Sequence, residues 1–284
     1  MIEVEVGAAT LACLVDGPER GPVILCAHGF PDCARSFRAQ TAPLVARGFR
    51  VVAPYLRGYA PSTPARDGRY DAAALGADLC ALAAHFSTEK VRLIGHDWGA
   101  IAAYAATALA PARFSHLCTL AVPHLRACAP RFLRPSQLRK SWYMGLFQLR
   151  GLAERRLAED DFALVERLWR DWSPGFTPPQ GELAAIKRSI AAPDHLSAVL
   201  GYYRALLSPA AIFGESRRLL FRRTSVPALY LHGEDDGCVG VELSNGSETA
   251  YSSGVRVHRI PSCGHFLHQE RPDEVNRLLL GFLA

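Results

Sequence analysis

The stretch Val91-Arg92-Leu93-Ile94-Gly95-His96-Asp97-Trp98-Gly99-Ala100-Ile101-Ala102-Ala103-Tyr104 decides how this chain is to be read. It opens as a short buried strand and continues as an Ala-rich helix from about Gly99 to Leu109, with a glycine two residues to either side of Asp97. A sharp strand-to-helix turn crowds the backbone, so Gly95 and Gly99 leave room where side chains would collide. The turn pushes its central side chain out at the helix N-terminus, where free N–H groups favour an anion. This is the nucleophile-elbow pattern, with Asp97 in the place that usually holds Ser. Taken alone, the five residues also fit a Gly-bounded turn whose Asp merely caps a helix.

On both sides of this turn the chain alternates. Strand-like segments at 2–6, 11–15, 22–27, 50–53 and 117–122 are separated by helix-like ones at 34–47 and 71–86. The second of these carries Leu75, Leu79, Leu82 and Phe86 at helical spacing. Such alternation predicts an α/β fold, a mostly parallel sheet flanked by helices on both faces. From about His124 to Phe221 the strand-like runs vanish, and Trp, Tyr, Leu and Arg recur at helical spacing between prolines. Residues 124–221 are therefore expected to form an inserted helical cap domain, and 1–123 with 222–284 the core domain. Strands return at 226–231 and 255–260, and a final amphipathic helix over 273–282 starts just after Pro272.

Composition narrows the function classes. Of 284 residues, 49% are hydrophobic and 21% charged, which is ordinary globular usage and excludes disorder. The net charge of +5 comes almost wholly from scattered arginines, and no basic stripe is interleaved with aromatics as a nucleic-acid groove requires. The eight cysteines show no CxxC or zinc-like spacing, and several sit in apolar runs where a thiol acts as a small hydrophobe. His124, His195, His232, His258 and His268 show no metal-binding spacing, and there is no Gly-rich phosphate or dinucleotide loop. Neither metal nor cofactor is expected. The N-terminus lacks a signal-peptide pattern, and the longest apolar stretch, Ala100 to Ala110, is far short of a membrane span. The chain reads as soluble and cytoplasmic, without a membrane partner.

The elbow is one member of a larger set. A hydrolase built on such an elbow has its nucleophile, acid and histidine in that chain order. After the strand at 226–231 comes His232-Gly233-Glu234-Asp235-Asp236-Gly237, and the acid is expected three residues beyond the glycine, at Asp236 rather than Asp235. The preceding strand ends in Leu120-Ala121-Val122-Pro123-His124, with no carboxylate at that alternative position. Next, Ser262-Cys263-Gly264-His265-Phe266 places His265 between a strand and the last helix. A carboxylate nucleophile is already charged and suits displacement at saturated carbon, whereas ester and amide hydrolysis normally use Ser or Cys with a base. Asp97 would attack carbon, and His265, oriented by Asp236, would then activate water against the ester. The resulting oxyanion needs backbone donors, expected at Trp98 and at Phe30 of His28-Gly29-Phe30-Pro31. His28 reads as a structural support of that loop.

With these residues in hand, the chain resembles the epoxide hydrolase branch of the α/β-hydrolase superfamily over nearly its full length. The resemblance is carried by His28-Gly29-Phe30-Pro31, Arg57-Gly58-Tyr59-Ala60-Pro61-Ser62, Gly95-His96-Asp97-Trp98-Gly99, Asp236 and Gly264-His265. It implies the α/β-hydrolase fold, a cis bond before Pro31, and two cap tyrosines that hydrogen-bond and protonate the epoxide oxygen. Tyr143 and Tyr203 are the candidates, and Tyr202 would point elsewhere. A phenol stays protonated at neutral pH and can donate to the alkoxide that ring opening creates. Phe30, Trp98, Trp142 and Phe147 are expected to line an apolar substrate pocket. The implied partners are a small-molecule epoxide and water, and both a monomer and a homodimer are compatible with the sequence. Two other readings stand beside this one. A haloalkane dehalogenase uses the same Asp-His-Asp set, with Trp98 and a cap Trp (Trp142, Trp169 or Trp172) as halide donors. A non-catalytic ligand-binding protein could keep the fold and its pocket.

Overall fold

The computed structural model describes residues 1–283. Eight strands form one sheet: β1 (Ile2–Glu5), β2 (Thr10–Asp16), β3 (Val23–Ala27), β4 (Arg50–Pro54), β5 (Val91–His96), β6 (Phe114–Leu120), β7 (Ala228–Gly233) and β8 (Val255–Ile260). They lie in the order β1-β2-β4-β3-β5-β6-β7-β8. β1, β2 and β4 pair antiparallel, and every pairing from β4 to β8 is parallel. Parallel strands must be covered on both faces, which explains why β3 and β7 are buried along their whole length.

Helices supply that cover. α1 (Arg38–Ala46) follows a 3₁₀ turn at Ala34–Phe37, so the single helix expected over 34–47 is two pieces, a tightened turn and an α-helix with Pro43 inside it. α1 and the terminal helix pack on one face, where Phe37, Leu44, Ile94, Leu229, Leu231, Leu279 and Leu283 form a core. α2 (Ala72–Phe86) and α3 (Trp98–Leu109) pack on the other, with Leu75, Leu79, Leu82, Leu93 and Leu117. The Asp71 carboxylate caps α2 by accepting from the N–H groups of Ala73 and Ala74. The alanines of α3 let it lie close to the sheet.

Between β6 and β7 every described regular element is a helix: α4 (Leu125–Cys128), α5 (Pro135–Lys140), α6 (Trp142–Leu146), α7 (Leu152–Trp172), α8 (Glu182–Ile190), α9 (Pro193–Ala205), α10 (Pro209–Phe213) and α11 (Glu215–Phe221), besides a 3₁₀ turn at Ala129–Leu133. α7 is broken at Glu159–Phe162, where Asp160, Asp161 and Phe162 have left-handed φ of 49–61°. α11 lies back against α2 and α3. After β8 the chain ends in α12 (Leu267–Glu270) and α13 (Pro272–Leu283). The peptide bond before Pro31 is cis, as the resemblance implied, and so is the one before Pro61. Among the described residues no helix is long and apolar enough to cross a membrane.

A buried ion pair and a hydrogen bond from the helical segment meet at Arg57. Arg57 makes a bidentate pair with Asp78 of α2 at 2.6 Å on both bonds, a geometry that offsets much of the cost of desolvating the two charges. The Arg57 carbonyl accepts at 2.7 Å from the Tyr202 hydroxyl of α9. Tyr202 is thus a clamp between segments and points away from Asp97, as its place beside Tyr203 on a helix suggested.

Candidate active site

The loops at the carboxyl ends of β3, β5, β7 and β8 converge, as ligand sites in parallel sheets do. Asp97 joins β5 to α3 with φ 50° and ψ −116°, a strained backbone for a residue with a Cβ. The close approach is visible in its neighbours: a Cβ on Gly99 would fall 1.9 Å from the Ala27 carbonyl oxygen, and one on Gly95 2.4 Å from that of Gly99. Gly29 is equally constrained, since a Cβ there would fall 2.3 Å from Asp97 Oδ1. That contact lets the Phe30 N–H donate to Asp97 Oδ1 at 2.8 Å. Trp98, whose N–H is the other expected donor, is the first residue of α3 and stands at the positive end of its dipole. His28 bridges two loops: its Nε2 accepts from the Leu56 N–H at 3.0 Å, leaving Nδ1–H to donate to the Gly29 carbonyl at 2.9 Å. Burial pushes His28 down to about 4, so it is neutral and supports the loop.

Asp236 and His265 meet on the same rim. Asp236 Oδ2 accepts from His265 Nδ1 at 2.8 Å, and its Oδ1 accepts from the N–H groups of Cys238 and Val239 at 2.7 Å each. Asp235, its sequence neighbour, is exposed. His265 Nε2 faces Asp97 Oδ2 at 3.6 Å, an ion-pair distance too long for a hydrogen bond. Burial alone would lower the imidazole, but the two aspartates outweigh it and raise His265 to about 10. Burial likewise works against ionisation of Asp97 and Asp236, yet His265 and the backbone donors keep both below the usual carboxylate range. Asp97 is therefore ionised at neutral pH, which a carboxylate nucleophile requires.

Tyr143 of α6 and Tyr203 of α9 come down over this centre. Their rings meet edge to face at 5.7 Å, and Tyr203 also packs edge to face on Phe30, Trp98 and Phe147 at 5.4, 5.2 and 5.0 Å. Burial raises both phenols well above their ordinary value, and the Asp97 charge adds to it. The Tyr203 hydroxyl is buried without a hydrogen-bond partner among the described residues, and so is His265 Nε2. Buried polar groups of this kind are ordinarily satisfied by a hydrogen-bond partner, which substrate or water would supply here.

Trp142 departs from expectation. It is 40% exposed, and its ring lies under the Arg167 guanidinium at 5.0 Å, so it sits outside the aromatic cluster that Phe30, Trp98 and Phe147 form around Tyr203. On a five-residue helix that presents Tyr143 inward, the preceding side chain turns outward. Trp169 is also committed, its indole N–H donating to the Pro31 carbonyl at 2.7 Å. Of the helical-segment tryptophans considered as halide donors, Trp172 alone packs beside the centre, against Tyr143 and His265 at 4.9 and 5.2 Å.

Several supporting residues carried no signal in the sequence. The Trp172 carbonyl at the end of α7 accepts from both the His265 and the Gly237 N–H at 3.0 Å, binding the histidine and acid loops to one point. Next to it, Ser173 Oγ donates to Glu270 and accepts from the Phe266 N–H, while Glu270 also accepts from the Gly264 N–H. The Gln137 side chain of α5 donates to the Cys238 carbonyl and accepts from the Gly240 N–H. His96, which burial pushes down to about 3 and so keeps neutral, pairs through Nε2 with the His265 carbonyl at 3.0 Å. Apart from Gly264 and Glu270, six residues apart, the partners of these groups lie far away in the chain, which is why spacing could not find them.

Comparison with known proteins agrees with this fold. The family model described as the alpha/beta hydrolase fold matches residues 22–272. An α/β-hydrolase superfamily protein of Bacillus subtilis is 30% identical over 286 residues, spanning 99% of this chain and 96% of its own. Epoxide hydrolase A of Mycobacterium tuberculosis is 30% identical over 323 residues, with the same coverage of 99% and 96%. Among solved structures, epoxide hydrolase A from Mycobacterium thermoresistibile superposes with a TM-score of 0.85 at 27% identity, covering 99% of this chain and 97% of that one.

Proposed function

Because the chain belongs to the α/β-hydrolase superfamily, in its epoxide hydrolase branch, we propose that it hydrolyses epoxides to vicinal diols through an ester on Asp97. Oδ1 of Asp97 is held by the Phe30 N–H, so the other oxygen, Oδ2, attacks an epoxide carbon and the C–O bond breaks. The departing oxygen takes a proton from Tyr203 or Tyr143. Formation of the ester removes the Asp97 charge that helped to hold a proton on His265. That proton passes to the phenolate, and His265 is left as a neutral base. It then takes a proton from water as the water adds to Asp97 Cγ, and the oxyanion on Oδ1 is met by the Phe30 N–H and that of Trp98. Collapse expels the diol oxygen, which takes the carboxyl proton, and Asp97, His265 and both tyrosines return to their starting states.

One observation carries this reading: a buried, unpartnered Tyr203 hydroxyl beside an ionised, buried carboxylate nucleophile. A halide leaving group needs N–H donors rather than an acid, and with Trp142 turned outward and Trp169 committed to Pro31, the cap offers fewer of them than the sequence allowed. In this proposal residues 124–221 act as the cap that supplies both phenols. The eight free cysteines support a reducing, cytoplasmic setting. The test is a two-substrate assay on the purified protein, with styrene oxide followed for diol and bromobutane followed for bromide. Diol without bromide is expected. Bromide without diol would make the tyrosines packing residues and overturn the proposal.

A further inference from the structure

Cys238 has no part in the steps above, yet its sulfur stands at their centre. Sγ lies 3.3 Å from Tyr143 Oη. The Cys238 sulfur, one Asp97 carboxylate oxygen and one His265 ring nitrogen also lie within 4.8 Å of one another. The residue cannot easily swing away. Its N–H donates to Asp236 Oδ1 at 2.7 Å, its carbonyl accepts from Gln137 Nε2 at 2.8 Å, and it is 1% exposed. Burial also pushes the thiol well above its ordinary range, so it keeps its proton.

Tyr143 has a single hydroxyl proton, and the direction of its contact with sulfur decides where that proton goes. The contact admits both directions, O–H to sulfur and S–H to oxygen, since a thiol is a weak donor and a weak acceptor. With S–H donating to Oη, the phenolic proton stays free for substrate. We infer that Cys238 is a positioning residue for epoxide opening, its S–H orienting the Tyr143 hydroxyl so that the phenolic proton is presented to the epoxide oxygen. This rests on the role given to Tyr143 in the proposed function. The two phenols then differ: Tyr143 is oriented by the turn that also carries the triad acid, whereas Tyr203 has no such partner. As negative charge moves onto Tyr143 Oη during ring opening, the S–H bond to it strengthens, which favours the transition state over the ground state.

Two measurements on the full-length protein test this. The first is infrared absorption in the S–H stretching region, with the Cys238 band isolated as wild type minus Cys238→Val. A band below the position of a free thiol that moves up in Tyr143→Phe is expected. A band at the free-thiol position in the wild type would overturn the inference, and this reading does not depend on the protein having any activity. The second is single-turnover rapid quench with styrene oxide. Cys238→Val should slow ester formation roughly five- to tenfold, the net worth of about one hydrogen bond, and leave ester hydrolysis nearly unchanged. Cys238→Ser should restore ester formation, and the Tyr143→Phe/Cys238→Val double variant should be no slower than Tyr143→Phe alone. Wild-type speed in Cys238→Val, a Ser variant as slow as Val, or equal loss in both half-reactions would assign Cys238 to packing. A wild type that opens no epoxide would instead overturn the proposed function, with the infrared band still deciding the hydrogen bond.

Discussion

Replacing Asp97 by Asn removes one of the two negative charges that face His265 and keeps the shape of the side chain. The imidazole stands at about 10 because Asp236 at 2.8 Å and Asp97 at 3.6 Å together outweigh its burial. At an effective dielectric of about 20, unit charges separated by the 3.6 Å of the His265–Asp97 pair attract by roughly 4–5 kcal/mol. At about 1.4 kcal/mol per tenfold change, that is on the order of a thousandfold in proton affinity. His265 in Asp97→Asn should therefore titrate in the neutral range. In the proposed mechanism ester formation neutralises Asp97 in the same way, so a change of this size would free the histidine as a base once the ester exists. The assay is an NMR titration of the ring C–H resonances in wild type and Asp97→Asn, with His265→Gln used to assign the peak. The wild-type resonance should hold its protonated position through neutral pH and move only as pH climbs towards about 10. If the Asn variant titrates where the wild type does, Asp236 alone supports the proton and the coupling between alkylation and base release is wrong.

Three further perturbations probe other parts of the site. His265→Gln should still be alkylated but should hydrolyse the ester poorly, so intact-mass spectrometry after styrene oxide should show an increase equal to the substrate. An unchanged mass would argue against the ester on Asp97. Tyr203→Phe should slow ester formation by about one to two orders of magnitude, less than the full general-acid effect because Tyr143 remains, and an unchanged rate would remove Tyr203 from the chemistry. Gly29→Ala places a Cβ 2.3 Å from Asp97 Oδ1, so the loop must move. A loss of about 1–3 kcal/mol in stability is expected from overpacking, with a larger loss of activity as the Phe30 N–H leaves Oδ1. Unaltered melting and turnover would mean that this approach is not essential.

How much of this was legible in the sequence depends on the range over which the physics acts. The turn around Asp97 could be read because part of its constraint is local: Gly95 is needed where the backbone meets Gly99 of the same turn, whereas Gly99 also meets Ala27 of β3. Alternating periodicity separated strands from helices for a similar reason, since each strand must bury a face whatever the rest of the chain does. Asp236 could be told from Asp235 by counting from a glycine, and one of the pair is buried against His265 while the other is exposed.

The helical segment between β6 and β7 was harder. Its residues are amphipathic in any arrangement, so the sequence could say that Trp142, Tyr143, Trp169, Trp172 and Tyr203 are helix aromatics without saying which face Asp97. Their pose is set by contacts across long separations: the Trp172 carbonyl on the His265 and Gly237 N–H groups, Gln137 across the Cys238–Gly240 loop, and Tyr202 on the Arg57 carbonyl. The sequence alone determined the α/β alternation and the turns that carry Asp97, Asp236 and His265, because periodicity and turn sterics act over short stretches of chain. Only the tertiary structure decided that Trp142 turns outward and that Cys238 sits beside Tyr143, because those placements depend on how the helical segment settles on the sheet.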